Sequence, residues 1–186
     1  MILHPKPPNL TATLGREINR KEGSMRWLLM KKIKLTQGQY TLVDNEDYDW
    51  LNQWKWCFDG KRYAVRTQRI GLRKNNKQVW FRMHRVLLKI PKGYEIDHIN
   101  RDTLDNRRSN LRMATIQQNK CNTSIRSDNT TGFKGVSWNG RRWRSNIQSN
   151  KRQYHLGNFL TKEEAALAYN QAAINLHKEY AYLNQV

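Results

Sequence analysis

Residues 94–119 decide how this chain is read. They run Tyr94-Glu95-Ile96-Asp97-His98-Ile99-Asn100, then Leu104-Asp105-Asn106-Arg107-Arg108-Ser109-Asn110-Leu111-Arg112, then Thr115-Ile116-Gln117-Gln118-Asn119. Ile96 and Ile99 bracket an adjacent carboxylate and imidazole, which predicts a short strand ending at Asp97-His98. Thr115 with Gln118 is a capping-box pair, which predicts a helix start and puts Asn119 one turn inside it. Asp97 and Asn119 then offer two oxygen donors, a hard set suited to Mg²⁺ or Mn²⁺ and not to zinc. His98 can take a proton from water near neutral pH. An activated water and a cation that stabilises charge on the phosphate and leaving oxygen are the parts phosphodiester hydrolysis needs. An isolated Asp-His pair is commonly an ordinary surface turn. Asn110, the capped Asn119 and the basic surroundings tilt this pair toward chemistry.

Working outward, the whole chain of 186 residues has 34 Lys and Arg against 15 Asp and Glu, a net charge of +19. The excess is present in 1–29, in 30–130 and in 131–186, so it is no detachable basic tail and points to a polyanionic partner. Only 38% of residues are hydrophobic, but 7 Trp, 8 Tyr and 4 Phe give core-forming material. The 2 cysteines, Cys57 and Cys121, make neither a disulfide framework nor a four-Cys zinc site. No apolar run approaches the length of a membrane span, and no obligate protein partner is evident.

Residues 1–29, with Pro5, Pro7 and Pro8, read as a poorly structured extension. Lys21-Glu22-Gly23 is compatible with an AAGGAGG-like coding stretch just before Met25, so native translation is expected to begin at Met25 or Met30. From Met30 a compact domain is expected: a strand at Tyr40–Val43, a short helix from Asn45 to Trp54 and a hairpin turning on Asp59-Gly60. A second turn is expected at Lys74-Asn75-Asn76-Lys77, then a helix beginning near His84 that Pro91 and Gly93 stop. The Asn-, Ser- and Thr-rich stretch 119–131 reads as a linker. Beyond it, strands are expected at Phe133–Ser137, Arg142–Gln148 and Gln153–Leu156. An amphipathic helix from Lys162 to His177 follows, capped by Thr161 and Glu164.

The stretch from Met83 to Asn119 resembles the His-Asn-His (HNH) homing endonucleases with a ββα-metal site. The resemblance is carried by Met83-His84-Arg85, Ile96-Asp97-His98-Ile99-Asn100, Asp105-Asn106-Arg107, Ser109-Asn110-Leu111-Arg112 and Gln118-Asn119. It implies that Asp97 and Asn119 ligate one divalent metal, that His98 is the general base, and that Asn110 orients the His98 ring. The third motif letter is Asn119 instead of His, as in phage-intron-encoded members, and the Cys pairs of the zinc-stapled subgroup are absent. His84 is an accessory candidate, with packing or a phosphate contact as the competing roles. Arg107, Arg108 and Arg112 are expected on phosphates.

Residues 132–186 resemble the Apetala-two/ethylene-response-factor DNA-binding domain, which also occurs beside HNH nucleases in phages. The matching text is Gly132-Phe133-Lys134-Gly135-Val136-Ser137-Trp138, Trp143, Ile147, Leu156-Gly157-Asn158-Phe159, Thr161 to Ala173 and Ala181-Tyr182-Leu183-Asn184. The implied fold is a three-stranded antiparallel sheet on one helix, laid in the major groove. Alternation along the strands agrees, with one apolar face and one carrying Arg, Asn and Gln. The expected DNA-facing residues are Lys134, Arg142, Arg144, Asn146, Gln148, Gln153 and His155, with Lys151 and Arg152 on the backbone from a hairpin turn. Ser137, Asn146, Gln148, Gln153 and His155 depart from the plant pattern, so the plant target does not transfer.

The expectation is therefore an α+β chain: residues 30–118 a nuclease domain, 119–131 a linker, 132–186 a DNA reader. It would nick double-stranded DNA as a monomer in the cytoplasm of a bacterial or phage-infected cell. The alternative is a non-catalytic DNA-binding protein or regulator with a relic core. A relic is expected to have lost one of Asp97, His98, Asn110 and Asn119, and all four are present.

Overall fold

A computed structural model describes residues 30–71 and 77–186. The expected N-terminal extension, the alternative start at Met25 and most of the turn expected at 74–77 lie outside the described residues. The chain is a mixture of α and β structure with small sheets and few helices. The described residues form two compact units: one of 30–71, 77–90 and 102–112, the other of 91–101 together with 113–186.

In the first unit, β1 (Met30–Lys34) and β2 (Tyr40–Asp44) are antiparallel, in register from Met30↔Asp44 to Lys34↔Tyr40. The returning segment 102–112 lies along β2: Leu42 N–H donates to the Leu104 carbonyl at 2.9 Å and Asn106 N–H to the Leu42 carbonyl at 2.8 Å. α1 (Asn45–Leu51) carries Glu46 and Asp47 in its first turn, where the helix dipole favours them. It stops three residues before the expected Trp54, because the Leu51 carbonyl is taken by the Trp54 N–H and by the Trp56 indole, the latter at 2.9 Å. β3 (Cys57–Phe58), β4 (Ala64–Ile70) and β5 (Lys77–Arg82) make an antiparallel sheet with β4 central. The β3–β4 turn is longer than the two residues expected. Asp59 N–H reaches the Tyr63 carbonyl, and the Asp59 carboxylate accepts from the N–H of Lys61, Arg62 and Tyr63 at 2.7–2.9 Å, holding a wider loop closed. α2 (Met83–Leu87) ends this run.

In the second unit, β6 (Tyr94–His98) forms a two-stranded sheet with β7 (Leu111–Thr115), whose first two residues are counted with the first unit. α3 (Ile116–Cys121) packs on β6 and begins at the expected Thr115/Gln118 capping box, both halves of which form. Residues 119–121, read from composition as linker, are thus helical. β8 (Val136–Trp138), β9 (Trp143–Ser149) and β10 (Arg152–Phe159) make a three-stranded antiparallel sheet with β9 central, and α4 (Lys162–His177) packs on all three strands. Ile147, Tyr169 and Ala173 form one buried cluster, and Val136, Ala165 and Ala166 another. Burying side chains the size of Ile147 and Tyr169 contributes roughly 1.5–3 kcal/mol each. The small residues of α4 let it approach closely, and Gly135 shows how closely: a Cβ there would lie 2.3 Å from the Tyr169 ring.

The strand boundaries of this sheet differ from expectation. β8 starts late because Asn129 Oδ1 accepts from the Thr131 and Gly132 N–H groups, turning 129–133 into a loop. The hairpin between β9 and β10 turns on Asn150 and Lys151, both at positive φ (51° and 63°), so Arg152 begins β10 and does not sit in the turn. β10 continues to Phe159 through a bulge between His155 and Gly157.

Candidate active site

Alternation predicts that every second residue of β6 is exposed, yet Ile96, Asp97 and His98 are buried in succession. Both faces of the strand end are covered. A buried carboxylate must be hydrogen-bonded or paired, and Asp97 is: the Asn122 side-chain amide donates to its two oxygens at 2.9 and 3.1 Å. The same nitrogen lies 2.9 Å from the His98 carbonyl and 3.4 Å from that of Ile99. One amide group thereby holds both the carboxylate and the turn after His98, which the Arg101 N–H also closes onto the His98 carbonyl at 2.9 Å.

Asn122 was not among the expected site residues. It is the C-cap of α3 and is buried. The signal that would have found it is spacing: Asn119 and Asn122 are three apart, so they share one helix face, and α3 packs that face on β6. Asn119 is half-buried and donates to Glu95 Oε2 at 2.5 Å. Asp97, His98, Asn119, Asn122 and Glu95 thus gather on β6 and the end of α3. Among the described residues no group of three or more His, Cys, Asp and Glu side chains could hold a metal ion.

The remaining sequence-predicted residues of this region belong to the first unit. Asn110 is buried in a 3-10 turn (Arg108–Asn110) and donates to the Asp105 carbonyl at 2.8 Å. His84 is buried in α2 with its ring 5.1 Å from the Tyr63 ring, a packing position. Arg107 and Arg108, expected on phosphates, are each paired with a carboxylate of the fold. Arg107 makes a bidentate pair with buried Asp105 at 2.6 and 2.7 Å, and Arg108 one with buried Asp47 at 2.7 and 2.8 Å. Fork-to-carboxylate geometry of this kind commits the guanidinium to the fold. Arg112 is half-buried in β7.

On the C-terminal sheet, Ser145, Ile147 and Ser149 face α4, while Arg144, Asn146 and Gln148 face away. Register places Ser137 and Asn158 either side of Arg144, His155 beside Asn146 and Gln153 beside Gln148. Asn158, missed from sequence because the bulge re-aims it, lies 3.4 Å from the His155 ring, whose other nitrogen is 3.2 Å from Asn146 Oδ1. Arg142, Lys151 and Arg152 are exposed at the two ends. Asn146, Gln148 and Gln153, with Gln117 and Lys120 of α3, line a cavity of about 730 Å³.

Lys134, expected to face DNA, is engaged by carbonyls of its own unit. Its ammonium group donates to the carbonyls of Cys121 and Thr123 at 2.9 and 2.8 Å and lies 5.0 Å from the Tyr182 ring centre. Burial without a carboxylate pulls its pKa down from 10.5 to about 8.

Residues 89–121 match the HNH endonuclease family. An uncharacterized HNH endonuclease of Acanthamoeba polyphaga mimivirus is 29% identical over 150 residues, 81% of this chain and 77% of the relative. Protein 3.8 of Escherichia phage T7 is 35% identical over 94 residues, 50% of this chain and 77% of the relative. No solved structure matches the chain. No helix among the described residues is long and apolar enough to cross a membrane.

Proposed function

From the match of residues 89–121 to the HNH endonuclease family, we propose that the chain is a metal-dependent endonuclease that hydrolyses phosphodiester bonds in double-stranded DNA, with the C-terminal sheet aiding site recognition. The observation that carries the reading is the buried Asp97-His98 pair at the end of β6, held by the Asn122 amide and packed by α3, which bears Asn119.

The donor set fits a hard divalent cation. Asp97 contributes a carboxylate, held in place by the Asn122 amide, and Asn119 contributes an amide oxygen. Because Glu95 accepts from the Asn119 Nδ2, the amide's orientation is fixed and its oxygen is directed away from Glu95. When bound, Mg²⁺ or Mn²⁺ stabilises negative charge on the phosphate and the leaving oxygen. His98 takes the proton from the attacking water, and its burial beside the strand end keeps bulk solvent from competing for that position. Asn122 is a positioning residue: it fixes Asp97 and the backbone that carries His98. Replacing such an outer partner costs 10–100-fold, so Asn122→Ala is expected to slow nicking by about that factor while DNA affinity stays the same.

The outward face of the C-terminal sheet resembles an Apetala-two-type reader. Arg144, Asn146, Gln148, Gln153 and His155 supply donors and acceptors for base edges, with Asn158 added to the set, and Arg142, Lys151, Arg152 and Arg112 are the phosphate contacts. With one centre per chain, a monomer nicks one strand. The test is supercoiled plasmid incubated with Mg²⁺ or Mn²⁺, with a chelator, and with Asp97→Ala. Nicked circles are expected only with wild-type protein and cation; nicking that persists in chelator, or with Asp97→Ala at the wild-type rate, contradicts the reading.

A further inference from the structure

β4 and β5 form an antiparallel ribbon, paired from Val65↔Arg82 to Ile70↔Lys77, that neither the hydrolytic centre nor the C-terminal reader uses. Strand alternation sorts its side chains onto two faces. The inner face joins the unit's interior at the base of the ribbon, where Arg66 is buried with its guanidinium 4.6 Å from the Trp54 ring centre and 4.5 Å from that of Phe81, while Ile70 and Lys77 at the far end are exposed. The outer face carries Thr67, Arg69, Gln78, Trp80 and Arg82, all exposed, with Thr67 opposite Trp80 and Arg69 opposite Gln78. Trp80 is 63% exposed.

The composition of this face is selective. Neither strand contains Asp or Glu, so Arg69 has no carboxylate on the ribbon to neutralise it, unlike Arg107 and Arg108. Arg and Trp are the side chains most enriched where a surface is covered by a partner. Positive charge without a carboxylate selects a polyanion, and Gln and Thr beside it supply hydrogen bonds to base edges or phosphates. The major groove of B-DNA is wide enough to admit a two-stranded β-ribbon.

We infer that the outer face of the β4–β5 ribbon is a second duplex-DNA contact surface, with Arg69 on phosphate, Thr67 and Gln78 hydrogen-bonding within the groove and Trp80 packed against sugar and base. The identity of the partner rests on the endonuclease reading. The surface itself lies in the first unit and includes none of the hydrolytic residues.

The experiment uses full-length protein carrying His98→Ala, so that DNA is bound without being cut, and a mixed-sequence duplex as probe. Its affinity across a salt series is compared with that of the same protein carrying Arg69→Ala and Trp80→Ala. Arg69→Gln alone is a second variant that keeps the length of the side chain, and both positions are exposed, so unchanged thermal melting is the folding control. The double replacement is expected to weaken binding about tenfold and Arg69→Gln to reduce the slope of log affinity against log salt by about 1, as loss of one phosphate contact requires. The hydroxyl-radical footprint is expected to lose part of its protection. Unchanged affinity, slope and footprint overturn the ribbon as a DNA surface. Loss confined to a single-stranded oligonucleotide of the same sequence overturns it in favour of a base-stacking platform. Failure of the reference protein to bind duplex at all is a different result, because it removes the endonuclease reading itself.

Discussion

Arg107 and Arg108 in the first unit and Arg144 in the C-terminal sheet are the same side chain put to opposite uses. The first two are clamped, each with both ends of its fork on a carboxylate that is itself buried: Asp105 is 1% exposed and Asp47 0%. Arg144 stands on an outward face whose neighbours are Ser137, Asn146 and Asn158, with no acid among them. The net charge of the chain therefore overstates what is presented to a polyanion. Part of it is cancelled inside the fold, and the usable part lies where carboxylates are missing.

Replacing the clamped arginine is the largest way to break this contrast. Arg108→Ala leaves Asp47 buried without its partner and is expected to cost about 3 kcal/mol of stability, measured by denaturant unfolding. A loss below about 0.5 kcal/mol, the range of ordinary surface changes, would return Arg108 to the set of available cations. Arg144→Ala is expected to do the reverse. Unfolding is unchanged, while affinity for duplex DNA falls by about 1–3 kcal/mol, the worth of a good base contact. If stability falls and affinity does not, the outward face is structural and the contrast fails.

Lys134 stands between the two cases, with carbonyl partners but no carboxylate, and it yields the smallest effect. Its pKa is about 8 in the fold against an ordinary 10.5, so between those values the unfolded chain binds more proton than the native one. Stability contributed at this position therefore rises as pH climbs through about 8 toward 10.5 and is lower on the acid side. Melting temperatures of wild type and Lys134→Met across that window are expected to shift relative to each other in favour of wild type as pH increases. A constant difference would mean that the ammonium group is solvated.

These cases also show how far the sequence could be read. α4 was legible to its first and last residue, because its capping box and small-residue face are local signals. The alternation of β9 was legible for the same reason. The Asp97-His98 strand end and the cap of α3 were legible as well, each within a few residues of chain. What was hidden depends on distance along the chain. Arg108 meets Asp47 across 61 residues and Asn122 meets Asp97 across 25, and no local pattern marks either pair. Lys134 has the alternation of an outward residue, but it precedes β8 in the chain and so escapes the strand's geometry. Asn158 was missed because a bulge, which periodicity does not encode, changes which residues of β10 face out.

The central claim is that the Asp97-His98 end of β6 is where DNA is cut, and the single-turnover rate of plasmid nicking by His98→Ala tests it most directly. Loss of a general base costs about 10²–10⁴ in rate. The account predicts a fall of that size in Mg²⁺ with duplex affinity and melting temperature unchanged. Nicking by His98→Ala at the wild-type rate would contradict it.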